Sequence, residues 1–206
     1  MSRAWHSRAM TPDGERWNHN IHYYPLILDA IPPGAQAALD VGCGEGMLCR
    51  QLRERVPRVV GIDADPASIA MATSAGGDIE YVRGDFLSRD FVPESLDLIA
   101  SVAALHHMDV AQALTRMREL LRPGGVLAIV GLARHTAADL PYGAMGFFAH
   151  RVLKRRHGLW KQPSPIADPV LTHRQTRRLV AEVLPGARYT QHVLFRFSVR
   201  WTRPRG

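Results

Sequence analysis

Cysteine is scarce in this chain of 206 residues: Cys43 and Cys49 are its only two. That excludes a disulfide-stapled scaffold and leaves two reduced thiols as the plain expectation. No apolar run approaches the roughly 18 residues that a membrane span requires. The first residues lack the basic, apolar, small-residue order of a secretory signal, so a cytoplasmic location is expected. Lysine is almost missing, since Lys154 and Lys161 are the only lysines among 26 basic residues. Acidic residues are short in one region: residues 134–206 hold 3 Asp/Glu against 14 Lys/Arg, whereas residues 1–133 hold 16 against 12. The formal net charge is +7. Such asymmetry steers an anionic partner toward the C-terminal third, although a solvated arginine-rich face is the simpler outcome. There is no internal repeat, low-complexity tract or second domain.

What is present fits one α/β domain, with 46% hydrophobic residues to fill a core. Ala37, Ala38, Leu39 and Val41 read as a buried strand that breaks into Gly42, Gly44 and Gly46, with a helix expected from Met47 to Arg55. Glycines at the carboxyl end of a strand let backbone approach a ligand without Cβ atoms in the way. A second strand, Arg58 to Ile62, delivers Asp63 to the same edge, where a carboxylate can accept two hydrogen bonds from a ribose diol. Ile79 to Arg83 reads as a third strand, followed by Gly84-Asp85-Phe86. Leu96 to Ser101 reads as a fourth, followed by Ala104-Leu105-His106-His107-Met108. A helix over Val110 to Leu121 should stop at the turn Arg122-Pro123-Gly124-Gly125, before a fifth strand from Val126 to Gly131. Near the end, Arg188 to Leu194 and Phe197 to Arg203 alternate apolar with polar side chains, as an antiparallel hairpin does.

Glycine spacing narrows the nucleoside. A dinucleotide turn wants G-x-G-x-x-G, and Met47 stands where its third glycine belongs; no Lys-Ser or Lys-Thr follows to make a P-loop. The G-x-G-x-G loop preceded by Asp40, with Asp63, Asp85, the L-H-H stretch and L-R-P-G-G, resembles the class I S-adenosylmethionine-dependent methyltransferases. The likeness covers residues 37 to 132 and is nearest the ubiquinone/menaquinone-type small-molecule branch. It implies a Rossmann-like methyltransferase fold: a doubly wound, seven-stranded, mostly parallel sheet in the order 3-2-1-4-5-7-6, with a C-terminal antiparallel hairpin. It implies S-adenosyl-L-methionine as cofactor and S-adenosyl-L-homocysteine as product. It also implies contacts from Asp40, Gly42, Cys43 and Gly44 around the amino-acid end, from Asp63 and Ala64 at the ribose, and from Asp85 and Phe86 at adenine. Ser101, His106 and Tyr23 are expected near the sulfonium or the methionine end.

On this reading residues 1–34 form an N-terminal lid, 35–132 the cofactor core, 133–171 a cap insertion and 172–206 a terminal helix and hairpin. His106 is the first candidate for a general base, with His107 beside it and His22 arriving from the lid. His22 and Tyr23 serve equally well as the packed underside of that lid. Tyr142 to Leu153 reads as an amphipathic helix with Tyr142, Met145, Phe148, Ala149 and Val152 on one side, roofing an acceptor pocket; a dimer contact or a membrane-surface helix are the alternatives. No metal is expected, because the histidine pairs lack carboxylate or cysteine partners nearby. A small-molecule acceptor, anionic or apolar, is favoured. RNA is second, since Ser101-Val102-Ala103-Ala104 stands where a base-methylating enzyme carries [DN]-P-P-[YF]. A nicotinamide-dependent oxidoreductase and a non-catalytic scaffold are the readings from other classes.

Overall fold

The computed structural model describes residues 16–160 and 167–205. It has seven strands: β1 (Ala37–Val41), β2 (Arg58–Asp63), β3 (Glu80–Arg83), β4 (Leu96–Val102), β5 (Leu121–Gly131), β6 (Arg188–His192) and β7 (Arg196–Thr202). Six α-helices connect them: α1 (Tyr24–Leu28), α2 (Met47–Arg53), α3 (Pro66–Ser74), α4 (Val110–Leu120), α5 (Leu140–His157) and α6 (His173–Val183). The sheet order is 3-2-1-4-5-7-6, as the sequence predicts, with β1 to β5 parallel and β7 antiparallel to both neighbours.

Alternation along the strands fills two cores on opposite faces of the sheet. Leu39, Val41, Ile62, Ile99 and Leu127 pack with Leu114 and Met117 of α4 and Val180 of α6. Ala38, Val59, Leu98, Ala100 and Ala128 pack with Ile27 of α1 and Leu48, Cys49 and Leu52 of α2. β1 is buried along its whole length because helices cover both faces. It can leave the sheet only through Gly42: φ is +75° there, and a Cβ would lie 2.1 Å from the Ala104 Cβ. Gly46, at φ +80°, opens α2 under the Tyr81 hydroxyl, which a Cβ would approach to 2.3 Å.

Two local expectations change. Arg122-Pro123-Gly124-Gly125 is not a turn ahead of β5 but an excursion inside it: Leu96 faces Leu121 while Leu98 already faces Val126. The excursion persists because Arg203 repairs it, its N–H donating to the Gly125 carbonyl and its own carbonyl accepting from Gly124, both at 2.9 Å. Helix α5 runs longer than Tyr142 to Leu153, and most of its large apolar side chains do not turn inward. Met145, Phe147, Phe148 and Val152 are exposed, Phe148 at 70%, and Gly146 is the buried residue of the helix. On the packed side of α5 Gly146 lies against the Phe195 ring, with Ala149 and Leu153 on the neighbouring core.

Candidate functional site

The carboxyl ends of the five parallel strands open into one cavity of about 710 Å³, lined in turn by Gly42, Asp63, Gly84, Val102 and Leu132. At the β2 end the Asp63 carboxylate is fixed by two backbone donors. Its Oδ2 accepts from the Gly44 N–H at 2.8 Å and its Oδ1 from the Asp65 N–H at 2.9 Å. Each oxygen keeps a lone pair, so the group can still take the two hydroxyls of a diol. Asp65 then caps α3, accepting from the Ser68 N–H and hydroxyl at 2.9 and 2.7 Å. After β3, Asp85 spends Oδ1 on the Leu87 N–H at 2.9 Å. Phe86 beside it is buried against Phe91, with the Arg116 guanidinium 5.6 Å from its ring centre. Gly42, Gly44, Asp63, Ala64, Asp85 and Phe86 all line this end of the cavity.

Past β4 the chain bends at Ala103, a non-glycine residue at φ +55° whose N–H donates to the Val130 carbonyl at 2.8 Å. Leu105–His107 then forms a 3-10 turn that brings both histidines to the cavity wall, their ring centres 4.1 Å apart. The His106 Nδ1 is buried with no hydrogen-bond partner. Burial, then the charges of His107 and Arg196, push the His106 imidazole down to about 4, against a weaker upward pull from a backbone hydrogen bond with Ala167. The ring is therefore neutral at neutral pH, a proton acceptor rather than a cation.

The N-terminal segment supplies the next wall with Asn18, His19 and Asn20. The Asn18 Oδ1 accepts the N–H groups of Asn20 and Ile21, both at 2.9 Å, and so starts the 3-10 turn Ile21–Tyr23. His19 Nε2 bonds His150 Nδ1 of α5 at 2.8 Å. Burial, with the Arg196, His150 and His22 charges, holds His19 down at about 4. Arg196 closes the far end. It opens β7, is 9% exposed, and lines the cavity.

Five sequence candidates stand off the cavity wall. Asp40 alternates with Leu39 onto the α2 face of β1, where its Oδ2 accepts from the Cys49 thiol at 3.3 Å; burial holds its carboxyl up at about 7. The Cys43 thiol folds back toward the Gly44 carbonyl at 3.7 Å. Ser101, fully buried, ties β4 to β1 by donating to the Val41 carbonyl at 2.9 Å. The Tyr23 hydroxyl donates to the Val193 carbonyl, and His22 sits edge-on to the Tyr23 ring at 4.8 Å. Within the N-terminal lid sequence reasoning chose His22 and Tyr23, whereas Asn18, His19 and Asn20 line the cavity; it did not single out Trp160 or Arg196. Arg196 did have a signal, because the first residue of a reversed strand beside β5 arrives at the edge where β1 to β5 end.

Known proteins resemble the chain in both sequence and shape. A family model described as a methyltransferase domain matches residues 39–129. An uncharacterized methyltransferase of Mycobacterium tuberculosis is 33% identical over 192 residues, covering 91% of this chain and 98% of its own. A 2-phytyl-1,4-naphtoquinone methyltransferase of Thermosynechococcus vestitus is 40% identical over 117 residues, 53% of this chain and 52% of its own. Among solved structures, the S-adenosylmethionine-bound amino pentose methyltransferase of Micromonospora echinaspora superposes with a TM-score of 0.62 at 16% identity, over 91% of this chain and 92% of that one.

Proposed function

Because the chain belongs to the class I S-adenosylmethionine-dependent methyltransferases, we propose that it methylates an O, N or C atom of a small molecule bound in the cavity beside His106. When bound, the cofactor would supply an electrophilic methyl group on a sulfonium sulfur, which would keep the bonding pair as an electron pair of the acceptor took the methyl in line. The residues present fit that cofactor: Asp63 and Asp85 offer fixed carboxylates at the β2 and β3 ends, and the Gly42 turn leaves no room for a side chain. What the protein adds is alignment of two reactants in a site from which water is displaced. An acceptor that must lose a proton can give it to the neutral His106 imidazole at the cavity wall. A conjugate acid near 4 makes His106 a weak base. It suits a group that is acidic or already ionised better than an alcohol.

One observation carries the small-molecule reading: a single cavity of about 710 Å³ reaches from Asp63 past His106 to Trp160 and Arg196. That is room for the cofactor and a modest acceptor together, within the usual range of ligand pockets. The names of the two proteins, one a phytyl naphthoquinone methyltransferase and the other an amino pentose methyltransferase, point to unlike acceptors. The acceptor class therefore has to be read from this chain's own wall. Calorimetric titration with S-adenosylhomocysteine tests the site. The parent should bind it, and Asp63→Ala should weaken binding by about 1.5–3 kcal/mol through loss of charge-assisted hydrogen bonds. Equal affinity in both proteins would put the cofactor elsewhere.

A further inference from the structure

Arg196 is the only arginine or lysine buried among the described residues. Register places it: Gly131, the last residue of β5, pairs with Phe197, so Arg196 lies one residue beyond that strand's carboxyl end. This is the ligand edge of the sheet, on the side away from Asp63 and Asp85. The turn before it is strained, with Leu194 and Phe195 both left-handed at φ +59° and +61°. Burial of Leu194 and the bond from Tyr23 to the Val193 carbonyl hold that turn in place.

Every partner of the guanidinium is neutral. Nε and Nη2 donate to the Asn20 Oδ1 at 3.0 and 2.7 Å, and Nη1 donates to the Phe195 and Leu194 carbonyls at 3.1 and 3.5 Å. Guanidinium has five N–H donors, so one on Nη2 is unspent. Among the described residues no carboxylate pairs with it, and its cavity neighbours His19 and His106 are neutral imidazoles. Burial lowers Arg196 only to about 10, which leaves it charged at neutral pH. A buried, uncompensated charge is costly. The sulfonium of the cofactor would add a second positive charge to the same space, with nothing on the β7 side to balance either.

We infer that Arg196 is the anion-binding residue of the acceptor subsite, and that the methyl acceptor is a small organic molecule bearing a carboxylate or phosphate held by this guanidinium. The inference rests on the methyl-transfer reading and narrows its substrate class. The other source of the same chemistry is the cofactor's own methionyl carboxylate, and the experiment separates the two.

Thermal-shift titrations are run at constant ionic strength, with and without S-adenosylhomocysteine. The probes are acetate, malonate, citrate, benzoate and inorganic phosphate, against acetamide, malonamide and benzamide. The proteins are the parent, Arg196→Gln, Arg196→Lys and Asn20→Asp. The last leaves the arginine and its turn intact but hands the guanidinium a carboxylate. At least one oxyanion should raise the melting temperature of the parent where the matching amide does not. That shift should vanish in Arg196→Gln and Asn20→Asp and return in part in Arg196→Lys, while calorimetric affinity for S-adenosylhomocysteine stays within about twofold of the parent. Absence of any oxyanion shift in the parent overturns the inference, as does a shift that survives in Asn20→Asp. A loss of about tenfold or more in S-adenosylhomocysteine affinity in Arg196→Gln also overturns it, by assigning the guanidinium to the cofactor carboxylate. Failure of the parent to bind S-adenosylhomocysteine would instead sink the methyl-transfer reading. The oxyanion shifts measured without it would still judge Arg196.

Discussion

At the β1–β3 end of the cavity the polar groups are held by backbone amides of the loops that leave adjacent strands. Asp63 receives the Gly44 and Asp65 amides, and Asp85 receives Leu87, two residues on. At the β7 end the partners come from across the chain: Asn20 meets Arg196 over a separation of 176 residues, and His19 meets His150 over 131. The first end is organised by its own backbone. The second is organised by contacts between elements, each of which depends on another element being in place. A cofactor shared across a family suits the first construction, and an acceptor that changes from one relative to the next suits the second.

The contrast can be broken hardest at Gly42. Gly42→Ala combines a left-handed backbone with a Cβ 2.1 Å from Ala104. It should cost about 2–4 kcal/mol in chemical denaturation and abolish binding of S-adenosylhomocysteine. Gly186→Ala has a similar φ of +82° but open space around it, so it should cost about 1 kcal/mol and leave binding intact.

Acid and base act on opposite ends. His19 and His106 are held near 4 in the fold against 6.5 for the free side chain. The unfolded chain takes up their protons first as pH falls, so stability present above pH 6.5 is lost on the way down to 4. Melting temperatures over that window should fall less steeply in His19→Asn than in the parent. Asp40 runs the other way, held up at about 7 against 3.8. The unfolded chain releases this proton first as pH rises, so the parent should lose on the order of 2 kcal/mol between pH 5 and pH 8 that Asp40→Asn does not lose. A parallel decline in both proteins would mean that Asp40 is not the responsible group. The smallest effect belongs to α5: Phe148→Ser, at a side chain 70% exposed, should change stability by less than about 0.5 kcal/mol. A larger loss would show that this face is covered in solution.

The same contrast explains what was legible beforehand. The glycine loop, Asp63 and Asp85 are readable because each lies on a turn that directly follows a strand, and strand ends are marked by local pattern. The residues of the β7 end carry no such mark, since nothing near Asn20 in sequence announces Arg196. Around the N-terminal turn, attention to the aromatic His22 and Tyr23 passed over Asn18 and Asn20, whose amide oxygens organise the wall. Helix α5 misled for a different reason. The pattern sets Tyr142, Met145, Phe148, Ala149 and Val152 on one inward side, yet of these only Ala149 packs on the core, beside Gly146 and Leu153. The packed side combines small residues, which let the helix approach the turn, with Leu153 on the core.

Strand β7 lies between β5 and β6 and begins with Arg196. During synthesis, then, the nucleoside half of the site can assemble while the last strand is still inside the ribosome, with β5 as a bare edge. The Arg196 wall of the cavity appears only when β7 slots in and Arg196 reaches Asn20. Covering that exposed edge and completing the cavity are one event, so a chain stopped short of β7 would present an unprotected strand and an unfinished cavity.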